Sequence, residues 1–126
     1  MDGQLKKHIL LVDDNWTDLR SISRLLEHLG YNVTSSINPD EALNLFREEP
    51  DKYHMIITDQ FMPGLKGHEL VILARRIRKD IPVVICSGSE EVLQELDSEG
   101  IDVQRFLPKP FSRSELAEVV QNLLSL

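Results

Sequence analysis

Short apolar runs alternate along the whole chain with longer stretches of helical period. His8 to Val12 (HILLV) is a continuous run, as expected of a strand buried on both faces of a sheet. Asn15 is placed to cap a helix to Leu29, with Leu19, Ile22, Leu26 and Leu29 as its apolar stripe and Gly30 as its stop. Asn32 to Ser36 reads as a more polar strand, suited to a sheet edge. Asn38-Pro39 supplies a cap and an N1 proline for a helix burying Ala42, Leu45 and Phe46. Met55 to Thr58 predicts the third strand, and Leu70, Leu73, Ala74 and Ile77 a third helix after a loop with Met62-Pro63-Gly64. Pro82 to Cys86 is the fourth strand, followed by Ser87-Gly88-Ser89 and a short acidic helix to about Glu99. Gln104 to Leu107 is the fifth strand, and Ser112 caps a last helix with Leu116, Val119, Val120 and Leu123 inward.

Five strands alternating with five helices predict an α/β fold of the (βα)5, flavodoxin-like kind. The expected sheet is parallel, in the order 2-1-3-4-5 common to this class, with helices on both faces. No repeat, low-complexity tract or linker interrupts it, so residues 1–126 are expected to form one domain. The composition, 41% hydrophobic and 28% charged, is that of a globular chain. Its formal charge of -7 argues against direct binding to nucleic acid or to an anionic membrane. No apolar run approaches the roughly 18 residues of a membrane span. Cys86 has no partner for an internal disulfide, and a cytoplasmic location is expected.

In sheets of this class ligands bind at the carboxyl ends of the strands. Asp13 and Asp14 end the first strand, Asp59 the third and Ser87 the fourth, while Lys109 follows the fifth. Three carboxylates, a hydroxyl and an ammonium therefore converge on one edge. Carboxylates this close repel unless a cation joins them, and an all-oxygen donor set suits Mg²⁺ (or Mn²⁺). Such an ion would keep Asp59 ionised and nucleophilic, and Lys109 and Ser87 would neutralise and hydrogen-bond a phosphoryl group arriving there. Alone, each residue has a plainer reading. Asp13-Asp14 is good helix-terminus chemistry, Ser87-Gly88 a turn, Lys109 a surface lysine and Cys86 a core thiol. The histidines (His8, His28, His54, His68) show neither metal-ligand spacing nor a paired nucleophile, and read as structural.

The motifs LLVDDN, ITDQFMPGLKG, VICSGS and FLPKPF stand in this order from Ile9 to about Leu124. With them the chain resembles the receiver domain of the two-component response-regulator family. The resemblance implies that Asp59 is the phosphoacceptor, that Asp14 binds Mg²⁺ directly, and that Asp13 acts through water or as the second acid. It implies a further metal ligand in the Phe61 carbonyl, a switch hydroxyl in Ser87, a phosphoryl-pairing lysine in Lys109 and a cis Lys109-Pro110 bond. Phe106 takes the aromatic switch position, where the family often has Tyr, so repacking rather than a new hydrogen bond would report switching. The partner implied is a sensor histidine kinase or histidine phosphotransfer protein, with an output domain or effector responding to the surface of the fourth helix, fifth strand and fifth helix. The ITDQFMPGLKGHEL stretch leans toward a hybrid-kinase origin. Three other functions compete with this reading: a receiver-like interaction module without phosphorylation, a hydrolase, and a flavin or nucleotide binder. A hydrolase would want an acid where Phe61 stands, and a nucleotide binder a phosphate-cradling loop where Asp13-Asp14-Asn15 stands.

Overall fold

The computed structural model describes residues 6–86 and 90–124. Its strands are β1 (His8–Val12), β2 (Asn32–Ser36), β3 (Met55–Asp59), β4 (Val83–Cys86) and β5 (Arg105–Leu107), and its helices α1 (Trp16–His28), α2 (Pro39–Glu48), α3 (Gly67–Ile77), α4 (Glu90–Ser98) and α5 (Arg113–Leu124). The strands form one parallel sheet in the order β2-β1-β3-β4-β5, as expected. The more polar β2 is indeed an edge strand.

Side chains alternate across each strand and so feed two cores. Leu10, Val12, Ile56, Val83 and Ile85 pack against α2, α3 and α4 through Phe46, Leu70, Ala74 and Leu96. On the other face Ile9, Leu11, Ile57, Val84 and Leu107 pack against α1 and α5 through Leu19, Leu26, Leu116 and Val120. Nearly continuous apolar strands follow directly from this two-sided burial.

The helices begin where short polar side chains satisfy free N–H groups. Asn15 Oδ1 accepts from the Asp18 N–H at 3.0 Å, and Asn38 Oδ1 from Asp40 and Glu41 at 2.9 and 3.3 Å. Ser112 and Glu115 cap α5 reciprocally, each backbone N–H donating to the other's side chain at 3.1 and 3.0 Å. Gly30, at φ 101°, ends α1 in the left-handed region that glycine tolerates. Four helix faces differ in detail from expectation: in α1 Leu25 is buried and Leu29 half-buried, and in α5 Leu124 is buried and Leu123 half-buried. In α2 the buried leucine is Leu43, with Leu45 only half-buried, because α2 meets β1 and α3 through Ala42, Leu43 and Phe46. In α3 Val71 is buried, while Leu73 and Ile77 lie at the margin of the core.

Register brings the strand ends together. Val12 pairs with Ser36 and with Thr58, so Asp13 follows beside Asp59; Asp59 pairs with Cys86, and Cys86 with Leu107. The loop leaving β3 returns so closely that the Gly67 N–H donates to the Gln60 carbonyl at 3.0 Å. A Cβ at Gly67 would stand 2.2 Å from the Asp59 carbonyl oxygen and 2.9 Å from the Gln60 Cα. Both obstacles are backbone and cannot rotate away. Gly67→Ala is therefore expected to destabilise the fold by about 2–3 kcal/mol, as overpacked sites do, read as a lower urea midpoint at unchanged slope. A midpoint within error of wild type would contradict this packing.

Candidate functional site

Asp13, just past β1, is a buried carboxylate with both oxygens engaged. Oδ1 accepts the Asn15 backbone N–H at 2.9 Å, and Oδ2 accepts Lys109 Nζ at 2.8 Å. Asp59 closes β3 with its side chain only 11% exposed. Its Oδ1 accepts the Gln60 N–H at 2.8 Å, and its Oδ2 lies 3.5 Å from Lys109 Nζ. Asp14 is exposed, and it offers an oxygen that, with one each from Asp13 and Asp59, forms a group lying within 4.8 Å of one another. Hard oxygen donors at that spacing suit a divalent cation, since each carboxylate keeps unused lone pairs beyond the bonds already made.

Lys109 reaches this cluster from the loop after β5, across a cis Lys109-Pro110 bond that agrees with expectation. Its ammonium also meets Asp18 Oδ2 at 3.2 Å. Asp18 is a site neighbour that sequence reasoning missed. Its only signal was an acid one helical turn beyond Asp14, which also reads as favourable charge at a helix N-terminus.

The electrostatics follow from this crowding. Burial works against the Lys109 ammonium, but Asp13, Asp18 and Asp59 outweigh it and raise its pKa above the ordinary lysine value. Burial raises the pKa of Asp59, and the Asp13 charge adds to this; Lys109 and the Gln60 N–H oppose both incompletely. The two partners' shifts thus differ in kind: the lysine gains from its pairing, whereas Asp59 remains a reluctant anion. The difference is physical, because Lys109 sits closer to Asp13 than to Asp59. The Cys86 thiol beside Asp59 is pushed up to about 12 by burial, which suits an inert core thiol.

The remaining predicted residues fall around this cluster. Phe61 follows in the loop as an exposed residue, 61% accessible. Phe106, on β5, is half-buried and packs against the core on the α4 side of the sheet. Ser87 lies outside the described residues. Of the histidines, His68 is buried at the start of α3, where it bonds to Gln60 and Glu95, a polar connection that the sequence reading did not anticipate.

Residues 9–121 match the family described as the response regulator receiver domain. This chain belongs to that family. Receiver domains are phosphoacceptor signalling domains of two-component systems. The chain is 31% identical over 121 residues to the putative two-component response regulator ARR21 of Arabidopsis thaliana, covering 96% of this chain and 19% of that protein. It spans less than half the length of the curated relatives it matches. Among solved structures it resembles the receiver domain of the hybrid histidine kinase CckA, at 33% identity and TM-score 0.74, covering 93% of this chain and 98% of that one. The receiver domain of the sensor histidine kinase PA1611 from Pseudomonas aeruginosa, solved with magnesium coordinated in its active-site cleft, matches at 25% identity and TM-score 0.79, covering 97% of this chain and all of that one. Among the described residues no helix is long and apolar enough to cross a membrane.

Because the folded-state pKa of Asp59 is raised, its ionised form costs stability. That cost is absent below the unfolded-state carboxyl value, grows as pH rises through it, and is complete above the folded value. Asp59→Asn is therefore expected to raise the thermal midpoint at neutral pH and to leave it unchanged in strong acid. A neutral-pH midpoint below that of wild type would show that the Asp59 charge stabilises the fold instead.

Proposed function

We propose that this receiver takes a phosphoryl group onto Asp59 from the phosphohistidine of a sensor histidine kinase or a histidine phosphotransfer protein. The observation that carries this reading is the placement of Asp59. It is a carboxylate at the end of the central strand, within 4.8 Å of two other acids and 3.5 Å from a lysine. In the transfer an Asp59 oxygen attacks phosphorus in line, the P–N bond breaks, and the released imidazole nitrogen takes up a proton from solvent. Asp59 Oδ2 is the oxygen free of the backbone and facing Lys109, so it is the nucleophile. Lys109 is already charged and needs only a short shift from Asp13 to pair with a phosphoryl oxygen.

The acid cluster fits Mg²⁺ (or Mn²⁺), with Asp13, Asp14, Asp59 and the Phe61 carbonyl as its holders. When bound, this ion neutralises the phosphoryl oxygens and offsets the repulsion that makes Asp59 a reluctant anion. Asp14, exposed, contributes the direct ligand, while Asp13, tied to Asn15 and Lys109, acts as the second acid. Ser87 donates its hydroxyl to the new phosphoryl group, and Phe106 repacks as the loop after β4 follows. The surface of α4, β5 and α5 thereby changes for an output domain or effector. The chain assists its own phosphorylation and the later hydrolysis of the acyl phosphate, and turns over no free substrate. Residues 1–126 act as one receiver domain in the cytoplasm, without direct contact with nucleic acid and without inserting into a membrane.

Incubation with acetyl phosphate and Mg²⁺, followed by intact mass measurement, tests the reading. One added phosphoryl group is expected on wild type, with none after chelation of the metal and none on Asp59→Asn. Equal labelling of wild type and Asp59→Asn would remove Asp59 from the mechanism.

A further inference from the structure

The proposed transfer makes no use of the Gln60–His68–Glu95 chain, although it starts at the residue after Asp59. The Gln60 backbone N–H is shared between Asp59 Oδ1 at 2.8 Å and the Cys86 carbonyl at 3.0 Å. The Gln60 side chain is buried against the start of α3, where Oε1 accepts the His68 backbone N–H at 2.9 Å and Nε2 meets His68 Nδ1 at 2.6 Å. An amide nitrogen only donates, so Nδ1 is the acceptor and the neutral ring carries its proton on Nε2. That N–H is directed at Glu95 Oε2, 2.5 Å away on α4. Turning the amide over would set its NH2 against the His68 N–H, two donors facing each other. The chain of bonds therefore has one consistent direction, from the backbone at Asp59 out to a surface helix.

A buried amide and imidazole cost free energy unless their hydrogen bonds are made, and an apolar pair would join α3 to β3 equally well. What the polar pair adds is a directional tie between Asp59 and α4. We infer that Gln60, His68 and Glu95 are positioning residues that couple the state of Asp59 to the seating of α4. This rests on Asp59 being the phosphoacceptor. Phosphorylation at Oδ2 turns Oδ1 from a carboxylate oxygen into an uncharged acyl carbonyl. The Gln60 N–H then loses its charge-assisted acceptor and shifts toward the Cys86 carbonyl. Gln60 carries His68 with it through two side-chain bonds, and the contact with Glu95 loosens. The path runs through Gln60 and His68 and reaches α4 from its α3 side.

Glu95 is exposed, so Glu95→Ala cuts the chain at its outer end without disturbing the core. The test is pulsed hydrogen exchange of residues 90–98, with and without acetyl phosphate and Mg²⁺, on protein whose phosphorylation is read by intact mass. In wild type, phosphorylation is expected to speed exchange across α4 about threefold or more, the effect of losing roughly one net hydrogen bond. In Glu95→Ala exchange should already be fast without phosphorylation, so the ratio between the two states should fall to about half the wild-type ratio or less. Glu95→Gln keeps an acceptor and should retain part of the ratio, and Glu91→Ala on the same helix should retain all of it. A merely structural Glu95 would speed exchange equally in both states and leave the ratio intact. That result in fully phosphorylated Glu95→Ala, or an unchanged α4 in fully phosphorylated wild type, would overturn the coupling. Absence of any mass gain on wild type would instead remove Asp59 as acceptor, and the coupling with it.

Discussion

The sharing of one ammonium among three carboxylates is the constraint on which the rest of this structure depends. Lys109 joins the loop after β5 to Asp13 beyond β1, to Asp18 in the first turn of α1 and to Asp59 at the end of β3. Residues 91 and 96 positions apart in the chain are hydrogen-bonded through a single nitrogen. Without that charge, the buried Asp13 would stand uncompensated beside Asp59, and the parallel strands that bring them together would be held against mutual repulsion. The compensation is uneven. Lys109 favours Asp13, so Asp59 is left partly unsatisfied, and that residual need is what a divalent cation or an incoming electrophile can meet.

Rigid elements set this geometry. The strand ends are locked by parallel register, and Gly67 allows α3 to start against the Asp59 backbone. On the outer side, among the described residues, α4 buries Val92 and Leu96 and carries the His68–Glu95 contact. A short surface helix can be reseated at smaller cost than the strands of a sheet. The division suits a domain whose chemistry occurs at one place and whose consequence is read at another.

Much of this was legible in the chain itself. Continuous apolar runs gave the buried strands, and Asn15, Asn38-Pro39 and Ser112 marked the helix starts because capping is local chemistry. The sheet order came from fold class, and the convergence of Asp13, Asp14, Asp59 and Lys109 followed once that order was assumed. Details set by packing were harder to see. Leu43 and Leu45 are equally apolar, and only the angle at which α2 meets its neighbours decides which is buried. Asp18 was ambiguous because an acid in the first turn of a helix has a sufficient local explanation. The Gln60–His68–Glu95 chain left no periodic signal: its members lie on a strand end, a helix start and a different helix, joined by bonds that only the folded backbone brings within reach.

The central claim is that one particular carboxylate in a cluster of acids is the reactive one. Reduction of acetyl-phosphate-treated protein with borohydride, followed by peptide mass mapping, tests it most directly, because an acyl phosphate is reduced to an alcohol while free carboxylates are not. The account predicts homoserine at position 59 and unmodified aspartate at positions 13, 14 and 18. Homoserine at any of those three positions, with Asp59 intact, would contradict it.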